Sequence, residues 1–173
     1  MDKRIEFADK ISLERIEKLH PILRNQVREA YLDINMGLPK GVRLRISQGL
    51  RTISEQNALY AQGRTTKGKI VTQSVGGRSW HNYGLAWDIV LLYDKDNNGT
   101  LETASWDENK YWMQVVNAFK AKGYSWGGDF RSFKDSPHFE KNFGLSTSTA
   151  LSRMKAGDVI TDSGITYINI IKI

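Results

Sequence analysis

Apolar residues recur at three- and four-residue intervals from Ile16 through Leu19, Leu23, Val27 and Tyr31 to Ile34, the spacing of one buried helix face. Pro21 interrupts the stripe. Proline suits a helix's first turn and not its interior, so residues 11–36 are predicted as two helices meeting at Pro21, with His20 in a structural or capping role between them. The period then changes. Val42, Leu44 and Ile46 alternate with Arg43, Arg45 and Ser47, which predicts a half-buried strand. Thr52-Ile-Ser-Glu55 has the form of a capping box and opens a helix through Asn57, Leu59 and Tyr60 that stops at Gly63.

Residues 64–80 are polar, with Gly68, Gly76 and Gly77 among them, and read as a long loop of the kind that usually carries function. Leu85–Tyr93 is apolar enough to be a central strand, and Asp94–Thr100 is a turn by composition. Trp112, Val115, Val116 and Phe119 mark a helix ending at Gly123, with Trp87 and Trp112 expected in the core. Tyr124–Trp126 and His138–Glu140 are expected as short strands around a glycine-rich loop. A helix near Thr147–Lys155 and a hairpin, Val159–Thr161 with Thr166–Ile170, complete the chain. Strands and helices do not alternate regularly. The expected class is therefore α+β: a small antiparallel-type sheet flanked by helices, with a C-terminal helix and hairpin packed on the core of one domain spanning 1–173.

Composition narrows the function more than the fold. The 173 residues contain no cysteine, which excludes disulfides, thiolate metal sites and a cysteine nucleophile. The longest apolar run is Ile89–Tyr93, too short to span a membrane, and Met1–Lys10 has no apolar stretch of the signal-peptide kind. Twenty-five Lys and Arg against 19 Asp and Glu give a net charge of +6, which favours anionic surroundings such as a bacterial wall or a nucleic acid. The basic residues form no single stripe and no nucleic-acid motif accompanies them, so nucleic acid is not an expected partner.

Three histidines are present: His20, His81 and His138. Asp88 stands in Ala86-Trp-Asp-Ile-Val-Leu-Leu-Tyr93, the most apolar strand of the chain. A carboxylate there must be paired with an arginine, hydrogen-bonded or bound to a metal. Two neutral imidazoles and one carboxylate are a sufficient donor set for catalytic zinc. The spacing alone does not choose among these readings.

The surrounding segment does. Ser79-Trp-His81-Asn-Tyr-Gly84-Leu-Ala86-Trp-Asp88 resembles the S-x-H-x-x-G-x-A-x-D signature of zinc peptidases that cut peptidoglycan stem peptides. That group includes D-alanyl-D-alanine carboxypeptidases and dipeptidases and the L-alanyl-D-glutamate endopeptidases used as phage endolysins. Gly49–Gln56, Gly123–Phe130 and Asp135–Glu140 agree in the same order, so the resemblance covers about residues 42–141. It implies the hedgehog/D-Ala-D-Ala peptidase fold, zinc held by His81, Asp88 and His138, and Asp135 as the catalytic carboxylate. It also implies Arg51 as the cation facing the substrate carbonyl. Aspartate at position 135, where the dipeptidases carry glutamate, resembles the endopeptidase branch; Asp129 and Glu140 are the alternative bases. Ser79, Gln56 and Trp126 are expected to contact substrate, Gln56 and Ser79 alternatively supporting the ligands, with Trp80 beside them at the groove.

Asp94-Lys-Asp96-Asn-Asn98-Gly99-Thr100-Leu-Glu102 resembles the first half of a calcium loop, so calcium is a second candidate cofactor, although Ser105 occupies the place of the closing glutamate. The expected protein is thus a monomeric zinc endopeptidase cleaving the L-Ala–D-Glu bond of bacterial peptidoglycan, without membrane insertion. An endolysin of this kind waits in the host cytoplasm until a holin-type pore admits it to the wall. The alternatives are a D-Ala-D-Ala carboxypeptidase or dipeptidase and a non-catalytic wall binder.

Overall fold

The computed structural model describes residues 2–170. After a short 3-10 turn, Lys3–Phe7, the order is α1 (Lys10–Glu17), α2 (Pro21–Gly37), β1 (Val42–Gln48), α3 (Ile53–Ala61), β2 (Ala86–Tyr93), β3 (Thr103–Ser105) and α4 (Lys110–Ala121). Then follow β4 (Ser125–Trp126), β5 (His138–Glu140), α5 (Thr147–Lys155), β6 (Val159–Asp162) and β7 (Ile165–Ile168). The class is α+β, as the sequence predicts.

The helix junction at Pro21 forms as expected. Pro21 opens α2, and His20 is its N-cap, with Nδ1 accepting from the Ile22 amide. Ile16, Leu19, Leu23, Val27 and Tyr31 are fully buried, so the stripe is the face that both helices lay on the sheet. The capping box of α3 is complete in both directions between Thr52 and Glu55. The strand Thr103–Ser105 is not foreseen by the sequence pattern, because three residues are too few to show alternation.

All strand pairs are antiparallel, in the order β1-β2-β5-β4, with β3 on the far half of β2. Successive side chains on a strand face opposite ways, and this decides where the chemistry sits. Trp87 pairs with Phe139 and stacks on it in the core, beside Phe119 and Tyr124. One position along, Asp88 pairs with His138 on the opposite face, and Glu140 joins them two residues on. One further irregularity matters. The β1–β2 register slips between Ile46 and Gln48: Ile46 pairs with Ile89 and Gln48 with Asp88, so Ser47 is the extra residue of a bulge beside Asp88. Bulges bend a strand and re-aim its residues, and this one leads the chain into Gly49 at the site.

The C-terminal segment packs on the same core: Ala150, Ile168 and Ile170 belong to the cluster that contains Trp87 and Leu44. The hairpin turns through Ser163 and Gly164, both at positive φ, the conformation that a two-residue turn requires. Its second strand ends at Ile168 rather than at the expected Ile170. His20 Nε2 meets the Ile168 carbonyl at 2.8 Å, and the Tyr167 hydroxyl donates to the Lys18 carbonyl at 3.1 Å, so the tail is bonded to the α1–α2 junction. No helix among the described residues is long and apolar enough to cross a membrane.

Candidate functional site

Asp88 and His138 come from adjacent strands, and His81 comes from the 3-10 turn Trp80–Tyr83 that runs into β2. Gly84 ends that turn at φ 68°, and a Cβ there would stand 2.7 Å from the His20 amide nitrogen. The glycine of the motif is therefore required by backbone conformation and by a close approach. The three side chains form a nearly equilateral triangle. His81 Nε2 lies 3.2 Å from Asp88 Oδ1 and 3.2 Å from His138 Nδ1, and His138 Nδ1 lies 3.2 Å from Asp88 Oδ1.

The outer ring nitrogens decide which lone pairs face inward. His81 Nδ1 is 2.8 Å from the Gly49 carbonyl, which only accepts, so Nδ1 carries a proton and Nε2 is free. His138 Nε2 donates in the same way to Glu140 Oε2 at 2.8 Å, leaving Nδ1 for the centre. A carboxylate or carbonyl behind each imidazole is the usual support of a metal-binding histidine. Tetrahedral coordination with bonds of about 2.0–2.1 Å has donor-to-donor edges of about 3.3 Å. The triangle and its N2O donor chemistry fit zinc.

Without a metal the arrangement is a proton trap. Burial pushes His138 down, but Asp88 and Glu140 on either side outweigh it and hold its pKa up to about 9. Burial likewise opposes the charge of Asp88, and both histidines overcome that and keep the carboxyl well below its usual range. Metal binding at this centre must displace protons, so affinity there rises with pH.

Around the centre is a cavity of about 510 Å³ whose wall includes Arg51, Ser79, Trp80, Asp135 and Glu140. Asp135 stands outside the triangle. The bend Asp135–Pro137 delivers it: the Asp135 amide donates to the Gly127 carbonyl at 3.0 Å, and the Asp135 carbonyl accepts from the His138 amide at 3.0 Å. Burial first, and the charge of Asp88 next, raise its carboxyl above the usual value. Among the described residues no hydrogen bond holds that carboxylate, so it is available as a proton acceptor. The alternatives are otherwise engaged: Glu140 is bonded to His138, and Asp129 is outside the cavity wall and paired with Lys120.

Arg51 follows β1 and reaches the same cavity. Its Nη2 lies 3.8 Å from Asp88 Oδ2, and its Nη1 donates to Gln56 Oε1 at 2.8 Å. Burial pushes its pKa down, and Asp88, Glu55 and Asp135 oppose that. A guanidinium remains charged under such a balance.

Trp126, expected at the substrate, and Gln56, expected there or as a support, both stand behind the cavity wall. Gln56 is fully buried and outside the cavity wall; its amide donates to the Ser74 carbonyl at 2.6 Å and to Thr72 Oγ1 at 3.2 Å while its oxygen holds Arg51. It is a support for Arg51 and for the 72–74 segment. Trp126 also lies behind the wall. Its indole donates to the Ser136 carbonyl at 2.7 Å, so it braces the Asp135–His138 bend. Ser79 does line the cavity, as does Trp80. The motif and its order do not reveal Trp106 and Phe133, which stand 54% and 46% exposed and give the cavity an aromatic rim, nor Thr147 from the C-terminal helix.

The candidate calcium residues lie at the other end of β2. Oxygens of Asp94, Asp96 and Glu102 come within 4.8 Å of one another. The loop is closed by its own donors: Asp94 accepts from the Asn98 and Gly99 amides at 3.0 Å each, Asp96 from Asn98 Nδ2 at 3.0 Å, and Glu102 from Thr100 Oγ1 at 2.7 Å, while Asn98 Oδ1 takes the Thr100 amide at 2.7 Å.

Residues 72–141 match the family model described as D-alanyl-D-alanine carboxypeptidase. The peptidoglycan L-alanyl-D-glutamate endopeptidase CwlK of Bacillus subtilis is 40% identical over 126 residues, covering 70% of this chain and 72% of that protein. The L-alanyl-D-glutamate peptidase of Listeria phage A118 is 30% identical over 131 residues, covering 71% of this chain and 42% of that protein. Among solved structures, the Serratia marcescens L-Ala D-Glu endopeptidase ChiX superposes with a TM-score of 0.53 at 25% identity, over 78% of this chain and 88% of that one.

Proposed function

The chain belongs to the D-alanyl-D-alanine carboxypeptidase family of zinc metallopeptidases, and from that premise we propose that it is an endopeptidase hydrolysing the L-Ala–D-Glu bond of peptidoglycan stem peptides. The observation that carries this reading is the 3.2 Å donor triangle of His81, Asp88 and His138, together with the free, upshifted carboxylate of Asp135 in the same cavity. Likeness to CwlK supports the choice of bond.

His81, Asp88 and His138 would hold the metal. A zinc ion held there would supply Lewis acidity, the property that lowers the pKa of water towards about 7 and polarises a carbonyl. The chain's own groups do the rest. Asp135 takes the proton of the attacking water and returns it to the departing D-Glu amine, a task suited to a carboxyl raised above its usual value. Arg51, fixed by Gln56, faces the negative charge that develops on the scissile carbonyl oxygen. Ser79 and Trp80 line the path of the stem peptide.

The protein acts on the bacterial cell wall, and release from the host cytoplasm through a holin-type pore is the finer part of the proposal, supported by likeness to the phage peptidase. Calcium stays outside the mechanism, because the carboxylates of the 94–102 loop are engaged by its own amides and hydroxyl. The test is digestion of purified peptidoglycan with mass identification of the new termini, alongside metal analysis of the purified protein. A new amine on D-Glu and close to one zinc per chain are expected; release of D-Ala alone overturns the endopeptidase reading in favour of a carboxypeptidase.

A further inference from the structure

Two arginines reach the cavity wall, Arg51 and Arg78. Their situations differ. Arg51 is committed to Asp88 and Gln56. Arg78 is exposed, and among the described residues it has no carboxylate partner; its side chain makes one hydrogen bond, from Nη1 to Ser148 Oγ. The rest of its fork of donors, the edge that suits a carboxylate bidentately, remains open.

The backbone beneath Arg78 is fixed. Gly77, at φ 80°, donates to Asn82 Oδ1 at 2.9 Å and accepts from the Tyr83 hydroxyl at 2.8 Å, and the Arg78 amide donates to the Val75 carbonyl at 3.0 Å. The same Asn82 side chain donates to the Arg51 carbonyl at 3.0 Å, so one buried amide ties together the backbones that carry both cations. The C-terminal helix completes the support. Ser148 receives the guanidinium, Thr147 lines the cavity, and a Cβ on Gly77 would meet Leu151 Cδ1 at 2.9 Å.

We propose that Arg78 is a specificity-determining residue that binds the free carboxylate of the D-glutamyl residue beside the scissile bond, with α5 holding its guanidinium in place. This rests on the endopeptidase reading above. Glutamate has two carboxyl groups; one continues the stem and the other remains as an anion next to the amine being released. That anion must enter a cavity already holding Asp88, Asp135 and Glu140. With zinc bound, its double charge and that of Arg51 only balance these three carboxylates, so the centre keeps no net positive charge for an incoming anion, and Arg78, the other cation on the wall, is the group that can receive it.

The experiment uses the zinc-loaded protein and two synthetic stem peptides that differ only at the glutamyl residue, one with the free carboxylate and one with its primary carboxamide. The wild type should prefer the acid by about tenfold or more in kcat/KM, mainly through KM, because the ion pair exists in ground and transition states alike. Arg78→Gln should bring the acid-to-amide ratio to about 1 by slowing the acid substrate alone, with an unchanged melting temperature, and Ser148→Ala should fall between. Equal cleavage of both peptides by the wild type, or a preference kept in Arg78→Gln, overturns the proposal while leaving the endopeptidase reading intact. Failure of the wild type to cut either peptide at the L-Ala–D-Glu bond overturns both.

Discussion

Gly127→Ala tests how the structure presents Asp135. Gly127 has no positive φ, so an alanine is excluded by space and not by backbone conformation. Its Cβ would lie 2.2 Å from the Asp135 carbonyl oxygen and 3.0 Å from His138 Cβ. Carbon–oxygen contacts settle at about 3.3 Å or more, so the Asp135 backbone must retreat by about 1 Å, losing its hydrogen bond to the Gly127 carbonyl. The His138 side needs a shift of only a few tenths of an ångström. The variant should therefore keep zinc at saturating metal while kcat falls about 100-fold, the cost of misplacing a catalytic group by about 1 Å. Overpacking of about 1–3 kcal/mol should lower the melting temperature by about 2–4 °C for each kcal/mol. Gly123→Ala is the control: φ is 82°, but the space is open, so stability should fall by about 1 kcal/mol with activity unchanged. The assay is turnover of a stem peptide, with zinc content and melting curves on the same preparations. Near-normal kcat in Gly127→Ala, or an equal loss of activity in Gly123→Ala, would falsify the claim that this contact positions the base.

Asp135→Asn should retain zinc and substrate binding while kcat falls by about 100-fold or more, since the amide cannot take up a full proton; loss of zinc instead would make Asp135 a ligand. His20 is buried with Nδ1 accepting from the Ile22 amide, and burial holds its pKa below the usual value, so the unfolded chain takes up the proton first. Its stabilising contribution is complete above about pH 6.5 and is lost as pH falls below that, and melting temperatures of wild type and His20→Gln across this range should converge on acidification; parallel curves would refute the link. Millimolar calcium should leave stability and zinc-saturated activity unchanged, and a rise in either that Asp94→Ala removes would identify the 94–102 loop as an ion site.

The parts of this molecule legible in its sequence are those governed by local period and local caps. The helical stripe broken at Pro21, the capping box at Thr52 and the alternation that puts Trp87 on one face of β2 and Asp88 on the other need only neighbours along the chain. The bulge at Ser47 is not visible in that way, because a register slip is a relation between two strands. The same limit explains Gln56 and Trp126. Gln56, read as a substrate contact or a support, and Trp126, read as a substrate contact, both stand in segments that match the peptidase pattern, yet a matching position does not say which contact the residue makes. Gln56 spends its amide on Arg51, Thr72 and Ser74, and Trp126 spends its one donor on Ser136, so each acts one contact behind the cavity. Arg78 is the converse case: a polar loop residue with no motif reason to be noticed, whose importance rests on the absence of a carboxylate partner among the described residues and on a buttress supplied by α5, seventy positions further along the chain. For residues of this kind the decisive quantity is the set of bonds left unmade inside the fold, and that set exists only once the chain has closed around the site.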